Sequence, residues 1–379
     1  MEFGLGLMNY PGCWDDVAFA EQHGFSTAGF VDTPVLAGDP YACMALAAQA
    51  TSKIRIGTMI TMPGLRDPAE TASALSTINA IAPGRVFFGA GTGYTGRLAL
   101  GLKRQVPSAR LRNYARDVRD LYNGCEVLHR LDKDHERVVR MANAEFLQNN
   151  QDHPIPVYIA ADGPKAIGVA GEVGDGIITA LRYASAWDNS PEVFRQSLAL
   201  MKETAADSGR ELDDPYTVWA PTICVLKPGE SAVSPRALAT SGPLAMLPFH
   251  SYACDEDLAS QWPPAFRDRL EIYEKEVLSR FDVPRDRLYQ EVHVGHLTRL
   301  LDGEAAVLTE EIMRMTTLTG TAEEIASHLN LMEREGLKNL TVWAPPSRSR
   351  EVVSNIAGQI VPLLDSTVPA GQSSAGSVR

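Results

Sequence analysis

Short apolar runs alternate regularly with longer helical segments along this chain, and this alternation limits the folds that it can adopt. Each run is rich in β-branched or aromatic residues and ends near glycine, proline or aspartate, which is typical of buried strands. The runs predicted as strands span residues 2–8, 25–31, 54–61, 85–90, 154–161, 175–180, 216–226 and 339–343. Four strand–helix units fall within the first 125 residues, which is the spacing of an eightfold barrel. The sequence therefore predicts an α/β fold of the (β/α)8 TIM-barrel class.

Capping residues mark where the intervening helices begin. Asp39, Asp67 and Ser190 each precede a proline, which combines an N-cap side chain with proline at the first helical position. The predicted helices span residues 13–23, 40–51, 69–80, 108–122, 165–174, 322–335 and 351–364, with another beginning at 191. Their alternation with the strands is what a parallel barrel requires.

Two stretches interrupt the alternation. Residues 125–153 alternate weakly and carry both signs of charge, which predicts a hairpin insertion. Residues 227–315 show no strand pattern but several helical ones, which predicts a long helical insertion after strand seven, suited to a lid or wall over a site. Residues 366–379 are small and polar and are predicted to be disordered. The expected organisation is a single barrel domain over residues 1–365 that carries both insertions.

The net charge limits the classes of binding partner, and the cysteine content indicates the cellular compartment. The 379-residue chain has a formal net charge of −12, which argues against nucleic acid or an anionic membrane as its main partner. An anionic ligand would then need loop amides or a helix N-terminus. The five cysteines are scattered and include no CxxC pair, which favours reduced thiols in a cytoplasmic protein. The sequence has no basic leader or long apolar run, so neither a signal peptide nor a membrane span is expected.

The glycine-rich loop at residues 91–96 is the first candidate site, because it matches GxGxxG after a predicted strand. A dinucleotide-binding domain also requires an acidic residue at the end of another strand about 20 residues later. That region here, 111–122, is predicted to be helical. Two interpretations remain, a tight turn or a loop whose amides approach the phosphate or ring of a cofactor.

A second candidate site lies between the fifth predicted strand and the following helix. Residues 160–165 read AADGPK. Free amides at such a junction favour an anion, and Lys165 adds positive charge. The alternative is an ordinary turn with a solvated lysine.

Two further side chains are candidates for catalysis. Asp32 ends a buried strand at the expected catalytic rim, where it either caps the next loop or hydrogen-bonds a ring nitrogen or a substrate. His293 and His296 suggest zinc, but no third ligand has a suitable spacing and the pair is not HExxH, so no metal is predicted. His296 is instead a candidate donor or general acid, with a structural histidine as the alternative. The sequence has no GxSxG motif, which disfavours nucleophilic hydrolysis.

Several short motifs, found in order, carry a resemblance to a known family. They lie at residues 39–42, 54–58, 63–68, 84–93, 160–164 and 171–176 and read DPYA, IRIGT, PGLRDP, GRVFFGAGTG, AADGP and GEVGDG. From residue 1 to about 364 the chain resembles the bacterial luciferase-like family of flavin- and deazaflavin-dependent oxidoreductases. Residues 58–63 with Arg66 are similar to the methylenetetrahydromethanopterin reductase branch. That similarity implies a non-prolyl cis peptide bond around residues 60–62, behind the deazaflavin ring.

The sequence departs from this family pattern at two positions. Asp32 is followed by Thr33, where many relatives have histidine, which disfavours the sugar-phosphate dehydrogenase branch. Met62 stands where the reductase branch usually has asparagine, so the pterin substrate does not carry over.

The resemblance implies a reduced flavin-type cofactor, either FMN or coenzyme F420, at the C-terminal rim of the barrel, where it oxidises or reduces a small organic substrate. With F420, a hydride moves between C5 of the deazaflavin and the substrate. With reduced FMN, oxygen is captured for a monooxygenase reaction that a separate flavin reductase supports. The implied cofactor-binding residues are Gly91, Thr92 and Gly93 along the cofactor, Ala161, Gly163, Pro164 and Lys165 near its phosphate, and Ile60, Thr61 and Met62 behind its ring.

The same resemblance leaves Asp32 and His296 as the catalytic candidates and implies a homodimer. Two alternatives come from other classes of protein. One is a cofactor-free barrel with a binding or structural role. The other is a metal-dependent barrel hydrolase that uses His293 and His296.

Overall fold

A computed structural model describes residues 1–102, 105–130, 136–143, 152–180 and 190–364. Its strands are β1 (Glu2–Leu7), β2 (Thr27–Phe30), β3 (Arg55–Thr58), β4 (Val86–Gly91), β5 (Val127–Arg130), β6 (Glu136–Val139), β7 (Val157–Ala160), β8 (Gly176–Thr179), β9 (Tyr216–Trp219), β10 (Ile223–Val225), β11 (Leu318–Gly320) and β12 (Asn339–Trp343). Eight parallel strands close into a barrel in the order β1-β12-β9-β8-β7-β4-β3-β2. The predicted (β/α)8 fold is therefore confirmed.

Helices surround the barrel and fill the segment between β10 and β11. They are α1 (Cys13–Gln22), α2 (Pro40–Ala50), α3 (Pro68–Ile81), α4 (Thr95–Leu98), α5 (Ser108–Tyr122), α6 (Pro164–Val173), α7 (Pro191–Asp207), α8 (Pro235–Ala245), α9 (Leu247–Cys254), α10 (Pro264–Arg267), α11 (Leu270–Glu276), α12 (Leu288–Glu291), α13 (Glu304–Val307), α14 (Glu310–Thr316), α15 (Ala322–Arg334) and α16 (Ser349–Asn355). Within the described ranges, none of these helices is both long and apolar enough to cross a membrane.

Side-chain caps mark the starts of several helices, as the sequence predicted for Asp39 and Asp67. Asp39 accepts from the Ala42 amide, and Asp67 accepts from the Ala69 amide. Thr321 and Glu324 form a reciprocal capping box at the start of α15. These local contacts fix where helices begin, and so where each loop leaves the barrel rim.

The seventh predicted strand is corrected by the structure. Residues 216–226 are not one strand, because β9 ends at Trp219 and β10 then leaves the barrel to pair with β11. Pro221 stands at the break, where it has no N–H to donate to a ladder, and its carbonyl accepts from the Trp343 amide at 2.8 Å. The helical insertion therefore starts from a small two-stranded sheet outside the barrel.

The two expected insertions differ in architecture. β5 and β6 pair antiparallel within the stretch where a hairpin was predicted. The helical insertion has an apolar core of its own, built around residues such as Phe249, Phe266 and Tyr273. No strand lies between residues 227 and 315, all of which the structure describes. The predicted disordered tail at 366–379 lies outside the described residues.

Candidate functional site

A groove of about 970 Å³ lies at the carboxyl ends of β4 and β7. Its position fits the rule that ligands of parallel α/β folds bind beyond the strand ends. Residues from both predicted loops and from the loop after β3 line it, namely Ile60, Gly91, Thr92, Gly93, Ala161, Gly163, Pro164 and Lys165. The structure thus brings two motifs that lie about 70 residues apart in sequence to one cavity.

The remaining two predicted cofactor-binding residues, Thr61 and Met62, do not line the groove. Both are buried beneath it. A Cβ atom built on Gly93, which has φ of +73°, would lie 2.0 Å from the Met62 sulfur. The glycine at this position therefore lets the β4 loop pack directly on the β3 loop, and Met62 supports the groove from behind.

A non-prolyl cis peptide bond joins Met59 to Ile60 in the loop after β3. It lies just before the 60–62 range expected from the resemblance. Ile60 follows this bond and faces the groove, whereas Met59 packs inside the barrel against Phe87 and Ile178.

The N-terminus of α6 forms one end of the groove. Gly163 is its N-cap residue and makes no side-chain cap, and Pro164 occupies the first turn. A Cβ added at Gly163 would meet no atom within 4 Å, so the backbone here borders open space. Lys165 is exposed beside it. Uncapped amides at a helix N-terminus together with a nearby lysine favour an anionic group such as a phosphate.

Asp162 is a groove residue that the sequence analysis did not select. Its Oδ1 accepts from the Thr179 hydroxyl at 2.8 Å and from the Ala180 amide at 2.7 Å. These bonds connect the end of β7 to the end of β8 and so fix the loop that leads into α6. Thr179 could not be predicted as the partner from local sequence, because the pairing depends on the barrel register.

The insertion supplies the wall of the groove opposite the strand ends. Leu247, Pro248 and Ser251 from α9 line it together with Trp262. Side chains from the insertion thus form one wall of a groove built on the barrel, and its role as a lid stays a prediction. Their identity could not be predicted, because no repeating pattern in residues 227–315 indicates which face turns inward.

Asp32 lies at the end of β2 but does not line the groove. It is buried, and its carboxylate accepts from the Thr61 hydroxyl and from the Nε and Nη2 atoms of Arg66, both at 3.1 Å. Arg66 also donates to Asp39 at 2.6 Å. The arrangement joins the loops after β2 and β3, and Asp32 as a catalytic residue stays a prediction.

His296, the other catalytic candidate, lies in a different cavity with His293. Their rings are 5.6 Å apart, and the ring of His250 lies 6.0 and 6.3 Å from them. Across the described ranges, no group of three or more His, Cys, Asp or Glu residues is arranged to hold a metal ion. A role for His296 in catalysis stays a prediction.

Comparison with known proteins supports the same assignment of fold. A family model described as luciferase-like monooxygenase matches residues 14–339. A solved structure of the coenzyme F420-dependent tetrahydromethanopterin reductase of Methanopyrus kandleri is similar with a TM-score of 0.66 and 18% identity, over 96% of this chain and 99% of that one. At this identity the likeness concerns the fold.

Two characterised relatives are similar in sequence. The F420-dependent glucose-6-phosphate dehydrogenase of Mycobacterium avium is 34% identical over 181 residues, which are 46% of this chain and 50% of that protein. The 5,10-methylenetetrahydromethanopterin reductase of Archaeoglobus fulgidus is 24% identical over 370 residues, which are 96% of this chain and 100% of that protein. The chain thus spans about half the length of the first relative and all of the second. Because the family model covers most of its length, the chain belongs to the luciferase-like family of oxidoreductases.

Proposed function

We propose that this protein is an oxidoreductase that binds a reduced flavin-type cofactor in the groove and uses it on a small organic substrate. The observation that carries the proposal is the meeting of the glycine loop and the uncapped N-terminus of α6 in one groove. This donor set fits a phosphate, because open space borders Gly163 and Lys165 lies beside it.

Within this proposal, the protein binds and orients the cofactor. The α6 amides and Lys165 hold the phosphate, while Gly91 and Gly93 let the β4 loop pack closely on Ile60 and Met62 behind the ring. Ile60 supports one face of the ring. Bound there, coenzyme F420 would accept a hydride from the substrate when oxidised or donate one when reduced, whereas reduced FMN would supply electrons to oxygen.

The insertion would exclude water from the reacting atoms. Leu247, Pro248 and Trp262 present apolar surface to the groove. Water exclusion strengthens electrostatic contacts with the cofactor and prevents side reactions. Asp162 fixes the α6 loop and so acts as a positioning residue.

Coenzyme F420 with hydride transfer is the leading version, because the F420-dependent dehydrogenase relative shares 34% identity over 181 residues. The second candidate is a reduced-FMN monooxygenase, which the description of the matching family favours. Both versions place the cofactor in the same groove, so one titration separates them.

The test is a binding titration of the pure protein with F420, reduced F420, FMN and reduced FMN, followed by fluorescence. We expect micromolar binding of F420 and much weaker binding of FMN. A preference for reduced FMN would favour the monooxygenase. Binding of none of the four would overturn the proposal and support a cofactor-free barrel.

A matched pair of variants locates the binding site. Gly163→Asp places a carboxylate where the phosphate is proposed, and aspartate is a good N-cap, so α6 is retained. Gly163→Asn keeps the cap without the charge. We expect Gly163→Asp to weaken F420 binding at least tenfold, and Gly163→Asn, which also caps the amides but adds no charge, to weaken it less. Equal affinities for the two variants would contradict a phosphate at this helix end.

A further inference from the structure

A second cavity, of about 490 Å³, lies between the loop after β2 and the insertion; we call it the histidine cavity. Val35, Leu36, Ala99 and Leu100 form its apolar wall. The opposite wall is polar and consists of Tyr289, Gln290, His293, His296 and Thr298, together with Val294 and Gly295. A volume of this size suits a small organic ligand.

The charge of this cavity is its most informative property. Among its described lining residues there is no Asp, Glu, Lys or Arg. Burial, with a smaller effect of nearby His250, lowers the pKa of His293 to about 4, so its ring is neutral at pH 7. The Nδ1 atom of His293 donates to the Tyr289 carbonyl at 2.7 Å, which leaves Nε2 as an acceptor. The wall can therefore hydrogen-bond a hydroxyl but offers no lysine or arginine for an anion.

A buried polar cluster supports the histidine wall from behind. The Nε2 atom of His250 lies 2.6 Å from the Oε1 atom of Glu304, and both side chains are buried. Within the described part of the chain, the Nδ1 atom of His250 has no hydrogen-bond partner. A buried polar atom without a partner has a free-energy cost that a ligand or a bound water would offset.

Helix α9 connects the histidine cavity to the cofactor groove. Leu247, Pro248 and Ser251 from this helix line the groove, while His250 from the same helix contacts the rings of His293 and His296. His250 is therefore the point at which the helix that lines the groove meets the rings that line the histidine cavity.

Unusual backbone conformations also occur at this cavity. Among the residues that the structure describes, Val35 and Leu297 are the non-glycine residues with positive φ, at +68° and +55°. Val35 lines the cavity, and Leu297 lies between the lining residues His296 and Thr298. Such conformations are costly for branched side chains and tend to occur at binding sites.

We propose that the histidine cavity binds the substrate, and that this substrate is an uncharged, largely apolar molecule with a hydroxyl or carbonyl group. The proposal rests on the proposed function, because it takes the groove to be the cofactor site. It differs from what a sugar phosphate would need, since a phosphate requires cationic partners that the described lining lacks.

The test compares 1-heptanol, heptanoate and glucose 6-phosphate as probes of the full chain, by saturation-transfer NMR titration. The first two probes share a seven-carbon chain and differ in charge. We expect heptanol to bind at least tenfold more tightly than heptanoate, and glucose 6-phosphate not to bind. Equal binding of heptanol and heptanoate, or preferential binding of the sugar phosphate, would overturn the proposal.

Variants of an exposed wall residue locate the binding. Val294 is 46% exposed, so Val294→Trp can fill the cavity mouth without disturbing the core. Its control is Val138→Trp on the β6 strand, where the side chain is 62% exposed. We expect Val294→Trp to weaken heptanol binding at least tenfold and Val138→Trp to leave it unchanged. Equal heptanol affinity in both variants would exclude this cavity.

A second variant at the same position tests the cavity even if Val294→Trp leaves room for heptanol. Val294→Lys should strengthen heptanoate binding relative to heptanol. An F420 titration of the same samples separates the two proposals. F420 binding without heptanol binding would overturn only the substrate assignment, whereas heptanol binding without F420 binding would overturn only the cofactor assignment.

Discussion

The barrel rim and the helical insertion both bury polar groups, but they pair them differently. At the rim, Asp32 accepts hydrogen bonds from Thr61 and Arg66, and Asp162 accepts from Thr179 and the following amide. In the insertion, the Tyr273 hydroxyl and the His250 Nδ1 atom are buried and have no hydrogen-bond partner within the described residues.

The difference follows from how each region is built. Strand ends are held in register by backbone ladders, so side chains of neighbouring strands meet at fixed distances and pair. Insertion helices are positioned by the packing of apolar side chains such as Phe249 and Phe266, which does not by itself align polar atoms. We infer that these paired carboxylates stabilise the rim, whereas the unpaired His250 Nδ1 atom and Tyr273 hydroxyl lower the stability of the insertion.

The largest expected effect is on the rim. Asp32→Ala removes the buried acceptor of Arg66 and of the Thr61 hydroxyl, and we expect the free energy of unfolding to fall by about 2–3 kcal/mol. Urea unfolding measures this change. Asp39→Asn is the control, because Asp39 is the exposed partner of the same Arg66, and it should cost less than about 1 kcal/mol. Equal losses of unfolding free energy in the two variants would mean that the buried pairing of Asp32 with Arg66 stabilises the protein no more than the exposed pairing of Asp39 with Arg66.

The insertion should respond to pH through His293. Its pKa is lowered to about 4 in the folded protein from the ordinary 6.5, so the unfolded chain binds more protons between these values. Stability should therefore fall as the pH drops from 7 to 4.5, and His293 should contribute about 2 kcal/mol of that fall. His293→Gln removes this contribution. Urea unfolding of both proteins at both pH values measures it.

The control for the pH experiment is His153→Gln, which changes an exposed histidine far from the insertion core. The His153→Gln variant should lose as much stability between pH 7 and pH 4.5 as the unsubstituted protein, because it retains His293. If His293→Gln loses as much stability on acidification as the unsubstituted protein, the insertion does not hold a neutral imidazole at this position.

A smaller effect is expected at the groove. Asp162→Ala removes two hydrogen bonds to a half-buried carboxylate, and we expect a loss of about 1–2 kcal/mol in urea unfolding. Asp162→Asn retains one acceptor oxygen and should lose less than the alanine variant. Equal losses for asparagine and alanine would show that the negative charge, and not the two contacts, sets the stability of this loop.

The bounds of helices and strands that are marked by a local sequence pattern could be predicted closely. Helix α5 and strand β12 have the bounds that the sequence indicated, because apolar periodicity and β-branched residues mark them. The two loops of the groove were identified for a similar reason, since glycine and proline mark the ends of strands. What could not be predicted depends on contacts between distant residues.

Three structural features depend on contacts between residues that are distant in the sequence. The break at Pro221 required knowledge that β10 pairs with β11, almost 100 residues later. The ion pair of Asp32 with Arg66 required the register of β2 on β3. The position of α9 at the groove and the contact of its His250 with the ring of His293 depend on tertiary packing, which no local pattern encodes.

Barrel closure has a consequence for biosynthesis. Strand β1 lies between β2 and β12, so one of its edges is completed by residues 339–343. On a ribosome that adds roughly 5–20 residues per second, β1 must wait on the order of tens of seconds for that partner. During this time its free edge can pair with other nascent chains. Chaperone binding to the growing polypeptide would protect that edge until the final strand emerges.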